Sequence, residues 1–148
     1  MAYREEMIKE IKAKVVPELR TNGFTRSYPY FKRVKDDKID LLAFQFNKWG
    51  GSFLMEISSA YPNREEYRNF DLCEGENLDK IEVAHTYARH RLRETTENPD
   101  ACWFEFNKDN ITEVAGDVIM LLPSANEWWN DPPIMEELRI RKERGLRY

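Results

Sequence analysis

The sequence predicts an α+β fold: an antiparallel sheet of four to six strands, packed on one face by an N-terminal helix and by a helix in the C-terminal half. Three observations predict it. Residues 3–22 and 111–122 carry apolar side chains at helical spacing. Between 28 and 59, three apolar or alternating runs are separated by polar and Gly-rich turns. No internal repeat, low-complexity tract or linker divides the 148 residues, so 1–148 is expected to form a single α+β domain, with 126–148 as a C-terminal helical extension.

In the first helix Met7, Ile11, Val15 and Leu19 recur every four residues, with Ile8 beside them and polar residues opposite. Pro17 removes a backbone donor and crowds the preceding turn, so a kink or a fresh helical turn is expected there. Asn22-Gly23 supplies a left-handed stop. The strand at 28–34 is aromatic-rich, and Pro29 suits a strand start or an edge. The polar turn Lys35-Asp36-Asp37-Lys38 leads into a strand at 39–46. Lys48-Trp49-Gly50-Gly51 follows, a hairpin signal because both glycines tolerate positive φ. The strand at 52–59 alternates Phe53, Met55 and Ile57 against Leu54, Glu56 and Ser58, as in a sheet with one covered face.

Residues 60–82 are polar and poorly patterned, with turns at Tyr61-Pro62-Asn63 and Glu74-Gly75-Glu76-Asn77. The stretch 83–93 fits two forms. A strand puts Val83, His85, Tyr87, Arg89, Arg91 and Arg93 on one side, whereas a helix aligns Ile81, Ala84, Ala88 and Leu92; the strand is the expected form. A short strand follows at 103–106. Asn110 is placed to cap the next helix, with Glu113 completing a capping-box pair. Ile111, Val114, Ala115, Val118, Ile119 and Leu122 form its apolar stripe, and Pro123 is expected to end it. Asp131-Pro132-Pro133 then starts a last helix towards Arg144, with Gly145 as its stop.

Apolar residues make up 41% and charged residues 34%, the balance of a globular chain and not a disordered one. The net charge of −4 argues against general nucleic-acid binding, whose affinity comes from phosphate contacts. The N-terminus carries charges every few residues and no apolar core, and no apolar run reaches the ~18 residues of a membrane span. No signal peptide and no membrane association are expected, and the expected location is the cytoplasm. Cys73 and Cys102 form no CxxC pair and read as two reduced thiols. His85 and His90 stand five apart, which neither helix nor strand brings squarely to one face, so no metal site is expected. GxSxG, HExxH, a phosphate-binding loop and GxGxxG are all absent; no cofactor is implied and no catalytic residue is identified.

The densest basic feature is Arg89-His90-Arg91-Leu92-Arg93. On a strand its arginines share one side, where guanidinium forks could hold a carboxylate or a phosphate. The plainer reading is a sheet face whose arginines pair with some of the 27 acidic residues. Four tryptophans, Trp49, Trp103, Trp128 and Trp129, are many for this length. Trp128 and Trp129 are adjacent, so one is expected to be exposed or half-exposed; it serves either as a lid on the helix end or as a binding surface. Arg89, Arg91, Trp128 and Trp129 are therefore the candidate partner- or ligand-binding residues. The C-terminal stretch 139–148 holds five cations against Glu143, which reads as a helix end complemented by positive charge.

The order Gly23-Phe24, Tyr30-Phe31-Lys32-Arg33, Phe44-Gln45-Phe46-Asn47-Lys48-Trp49, the strand from Phe53 to Ile57, Arg89-His90-Arg91-Leu92 and Trp103 resembles the domain-of-unknown-function family numbered 4304. The resemblance covers most of 5–123 and has no counterpart beyond Asn126. It implies an α+β fold and assigns no activity. Composition and analogy lead to a non-enzymatic protein-binding module, with an immunity-type protein as the first version to test. The alternative is a small enzyme or ligand-binding protein that holds an anionic ligand with Arg89 and Arg91.

Overall fold

The computed structural model describes residues 3–36, 38–60, 83 and 89–132. The first helix, α1, has three segments: α-helical Arg4–Glu10, a π-helical turn Ile11–Val15, and α-helical Val16–Thr21. Met7, Ile11, Val15 and Leu19 are all buried. A strict four-residue spacing drifts by about 40° per step around a regular α-helix. The wider i→i+5 turn takes up more residues per turn and returns the stripe to one face. It lies directly before Pro17, which donates no N–H and crowds the carbonyl of Ala13. The break expected at Pro17 is thus a widened turn just upstream of it. Gly23, at φ 91°, closes the helix: its N–H donates to the Arg20 carbonyl at 3.0 Å, and the Phe24 N–H donates to that of Leu19 at 3.0 Å. This is a Schellman ending, with the usual apolar contact supplied by buried Phe24 and Leu19.

Five strands follow: β1 Tyr30–Lys35, β2 Lys38–Phe46, β3 Ser52–Ala60, β4 Arg89–Arg91 and β5 Phe104–Glu105. They form one antiparallel sheet in the order β1-β2-β3-β4, with β5 pairing the other end of β3. Cross-strand partners share a face. Phe31, Leu42 and Ile57 lie in line on one face, as do Phe44 with Met55 and Phe46 with Phe53. This inner face packs under α1 and under the second helix, α2, Ile111–Asn130, in one continuous core.

The expectation of a single covered face does not hold for β3, which is buried along both sides except at Glu56. Ile39, Leu41, Ala60 and Val83 make a second cluster on the outer face. Of residues 83–93, only Arg89–Arg91 is a strand: Leu92 and Arg93 form a turn in which Arg93 takes φ 74° and lays its guanidinium 3.8 Å from the Phe104 ring centre, so Arg93 does not share the side of Arg89 and Arg91 as expected; residues 84–88 lie outside the described residues, as do Cys73, His85, the turns at 61–63 and 74–77, and everything from 133 onward.

α2 corrects two expectations. Pro123 does not end the helix but stands inside it, exposed, and the helix runs on to Asn130 through the proposed start of the extension at 126. An interior proline costs about 3 kcal/mol. Beyond it, Ala125 and Trp129 are buried, and burying a tryptophan in a packed core is worth about 3–5 kcal/mol. Packing therefore outweighs propensity. Asn110 does precede the helix, but its side chain makes no capping bond. Its Oδ1 instead accepts from the Asn107 N–H at 2.7 Å, which braces the turn before the helix. Val114, Val118 and Leu122 are buried, as the stripe predicts. Among the described residues, no helix is long and apolar enough to cross a membrane.

Candidate functional site

β4 is only three residues long, yet it sends its side chains to two different environments. In register, Arg91 faces Glu56, His90 faces Ile57 and Arg89 faces Ser58. Alternation puts Arg89 and Arg91 on the outer face with Glu56 and Ser58, and His90 on the inner face with the core. The Glu56 carboxylate lies between the two guanidinium groups, 3.6 Å from Arg89 Nη1 and 3.4 Å from Arg91 Nε. The arginine side chains are 46% and 45% exposed, that of Glu56 only 16%. Ser58 is completely buried, and its Oγ has no hydrogen-bond partner among the described residues.

On the inner face His90 stacks against Trp128, with ring centroids 6.0 Å apart and planes 13° apart. Burial holds its imidazole below the ordinary value, opposed by the nearby Glu94 carboxylate. Trp128 is half-buried, whereas Trp129 is a core residue: its indole N–H donates to the Ser58 carbonyl at 3.0 Å and its ring lies 4.9 Å from that of Phe24. The four candidate residues therefore do not make one surface. The arginines point outward and the tryptophans inward, and His90 is the residue of β4 that meets Trp128. An alternating strand cannot put Arg89, Arg91 and a ring packed under the helix on the same side.

A second charged cluster lies on the inner face beneath Trp129. Arg33 Nε and Nη2 donate to Asp40 Oδ2 at 3.0 and 2.8 Å, and Nη1 donates to the Asn22 carbonyl at 3.0 Å. Asp40 Oδ1 accepts from Ser59 Oγ at 3.1 Å and pairs with Lys38 Nζ at 3.0 Å. The Lys38 ammonium also donates to the Trp129 carbonyl. The Arg33 guanidinium lies 4.5 Å from the Phe24 ring centre and 5.0 Å from that of Trp129. Every polar group in this cluster has a partner inside the protein, so it ties α2 to β1 and β2 and offers nothing to a ligand. Period-two reading of the strands could have found it. Arg33 alternates with Phe31, and Asp40 with Leu42 and Phe44, so both had to face the core.

At the far end of the sheet the β2–β3 hairpin projects Trp49 into solvent at 78% exposure. The turn is fixed by the Trp49 N–H donating to Asn47 Oδ1 at 2.9 Å and the Gly50 N–H to the Asn47 carbonyl at 2.9 Å. Gly50 and Gly51 both take positive φ, 91° and 78°, as the Gly-Gly pair predicts. The Phe106 N–H donates to the Gly51 carbonyl at 3.0 Å and braces the tip against the chain entering α2. Gly50, Gly51, Ser52, Glu105, Phe106, Asn107 and Asn110 line a shallow open cleft of about 550 Å³ beside it. Among the described residues, no group of three or more His, Cys, Asp or Glu side chains is placed to hold a metal ion.

The family described as Domain of unknown function (DUF4304) matches residues 15–131. This span takes in the end of α1 from Val15 onward, the whole described sheet and α2. No curated protein matches the chain, and no solved structure does.

Proposed function

We propose that this chain, which belongs to the DUF4304 family through residues 15–131, is a non-enzymatic protein-binding module of the cytoplasm, of the immunity type that neutralises a toxin by covering it. The observation that carries this reading is Trp49. A tryptophan left 78% exposed forgoes the burial energy that Trp129 gains in the core. Its hairpin is held by hydrogen bonds within the turn and to Phe106, so little ordering remains to be done on binding. Tryptophan is among the residues most enriched at interface hot spots. The shallow cleft beside it suits a protein surface better than an engulfed small molecule. The net charge of −4 favours a basic partner.

The test is calorimetric titration of this protein with the product of the gene adjacent to its own. The reading expects binding, and expects Trp49→Ala to weaken it by about 1–4 kcal/mol with an unchanged melting temperature. Absence of binding by the wild-type protein counts against the immunity form of the reading. Equal binding by Trp49→Ala removes the hairpin tip as the contact.

A further inference from the structure

The cleft of about 550 Å³ beside Trp49 has a one-sided chemistry. Among the described residues that line it, Glu105 is the one with a charged side chain. Lys48 and Lys108 stand close by in sequence, but neither is part of the wall. Strand register sets Glu105 opposite Ser52, so the two side chains rise on the same face with their Cβ atoms about 5 Å apart. Ser52 is buried and Glu105 exposed. Among the described residues, the Glu105 carboxylate takes no hydrogen bond and no ion pair. The side-chain oxygens of Asn107 and Asn110 are already used within their own loop, by the Asp109 N–H at 2.8 Å and the Asn107 N–H at 2.7 Å. The opposite wall is bare backbone: a Cβ on Gly51 would meet nothing within 4 Å.

We infer that this cleft receives an arginine side chain of the protein partner, with the Glu105 carboxylate as its counter-ion. The inference rests on the protein-binding reading of the Trp49 surface and adds the chemistry of the residue that enters beside the ring. Charge complementarity selects a cation: an acidic side chain would meet Glu105 with no cationic group in the wall to offset it. The net charge of −4 favours the same sign at longer range. A guanidinium fork matches both oxygens of a carboxylate and is more weakly hydrated than an ammonium, which favours arginine over lysine. The walls are tied before any partner arrives. The Phe106 N–H donates to the Gly51 carbonyl at 3.0 Å, and Asn110 Nδ2 donates to the Glu105 carbonyl at 3.4 Å. Little ordering is then left for binding to accomplish.

The experiment is a titration of the full chain with N-acetyl-arginine amide and with N-acetyl-citrulline amide, its uncharged isostere, read by NMR of the Gly50, Gly51, Glu105 and Asn107 backbone N–H signals. The arginine amide is expected to shift these signals saturably, in roughly the millimolar range that one exposed ion pair allows, and the citrulline amide to leave them unsaturated. Glu105→Gln keeps the shape and removes the charge, and is expected to weaken binding of the arginine amide about fivefold, with folding verified from the same spectra. Glu113→Gln removes an equal charge from α2 outside the cleft and is expected to leave that binding unchanged, as is Trp49→Ala, whose ring is no part of the wall. The amide needs no partner protein, so the cleft can fail while the adjacent gene's product still binds, and the reverse. Saturation by the citrulline amide as readily as by the arginine amide, undiminished binding by a folded Glu105→Gln, or an equal loss in Glu113→Gln would each overturn the assignment. Loss of the amide's binding in Trp49→Ala would do so too, by moving the cation onto the indole ring.

Discussion

The two arginine–carboxylate clusters use the same chemistry and stand on neighbouring strands of one sheet, yet they do opposite things. Arg33 and Asp40 lie under Trp129 with almost no exposure, and each remaining donor or acceptor is taken by Asn22, Lys38 or Ser59. Arg89, Arg91 and Glu56 lie on the outer face, half-exposed and loosely paired. Burial is what separates them. A charge taken out of water must be matched closely or the fold does not tolerate it. A charge left near water can keep open donors at little cost. The buried cluster therefore serves the fold, and the open one keeps its guanidinium groups hydrated.

The largest expected effect breaks the buried side of the comparison. Arg33→Ala leaves Asp40 at zero exposure with Lys38 as its one cation, and a loss of about 3–5 kcal/mol is expected from urea unfolding. Replacing the pair together, Arg33→Met with Asp40→Leu, is expected to recover much of that loss, because no unmatched charge remains. A single variant as stable as the wild type would show that the cluster does not hold α2 to the sheet.

Glu56→Gln makes the corresponding change on the open side. It is expected to alter stability by less than about 1 kcal/mol, since both guanidinium groups stay hydrated. A loss as large as that of Arg33→Ala would place Glu56 among the structural charges.

The smallest effect belongs to His90, which sits between the two arginines in sequence but faces the core. Burial holds its imidazole below the usual 6.5, with Glu94 pulling the other way. The unfolded chain then takes up the proton first, so the stability contributed at His90 is full above pH 6.5 and falls as pH drops below it. His90→Gln is expected to flatten the decline in melting temperature between about pH 7.5 and 5.5. An unchanged decline would mean that the imidazole titrates as freely in the folded chain as in the unfolded one.

Much of the fold was legible because it rests on local periodicity. The stripe from Met7 to Leu19, the Gly23 stop, the Gly50-Gly51 hairpin and the alternation of Phe53, Met55 and Ile57 each follow from how the chain twists. The errors came where a local rule met a tertiary force. Pro123 is a helix breaker by propensity, but the burial of Ala125 and Trp129 carries the helix through it. The candidate site was half legible: strand alternation put Arg89 and Arg91 together, and the adjacency of Trp128 and Trp129 meant that only one could be fully buried.

By itself, the sequence determined the α+β class, the helix faces, the two hairpins and the shared side of Arg89 and Arg91, because each depends on residues close along the chain. Only the tertiary structure decided that the tryptophans and the arginines lie on opposite faces, that Glu56 serves two guanidinium groups, and that the Ser58 hydroxyl is buried with no partner among the described residues while Asp40 is buried with four donors to its carboxylate. These outcomes turn on strand register and on which residues cover a face. Register is fixed by which distant segments bury their apolar faces together, and a one-residue slip would exchange inside for outside.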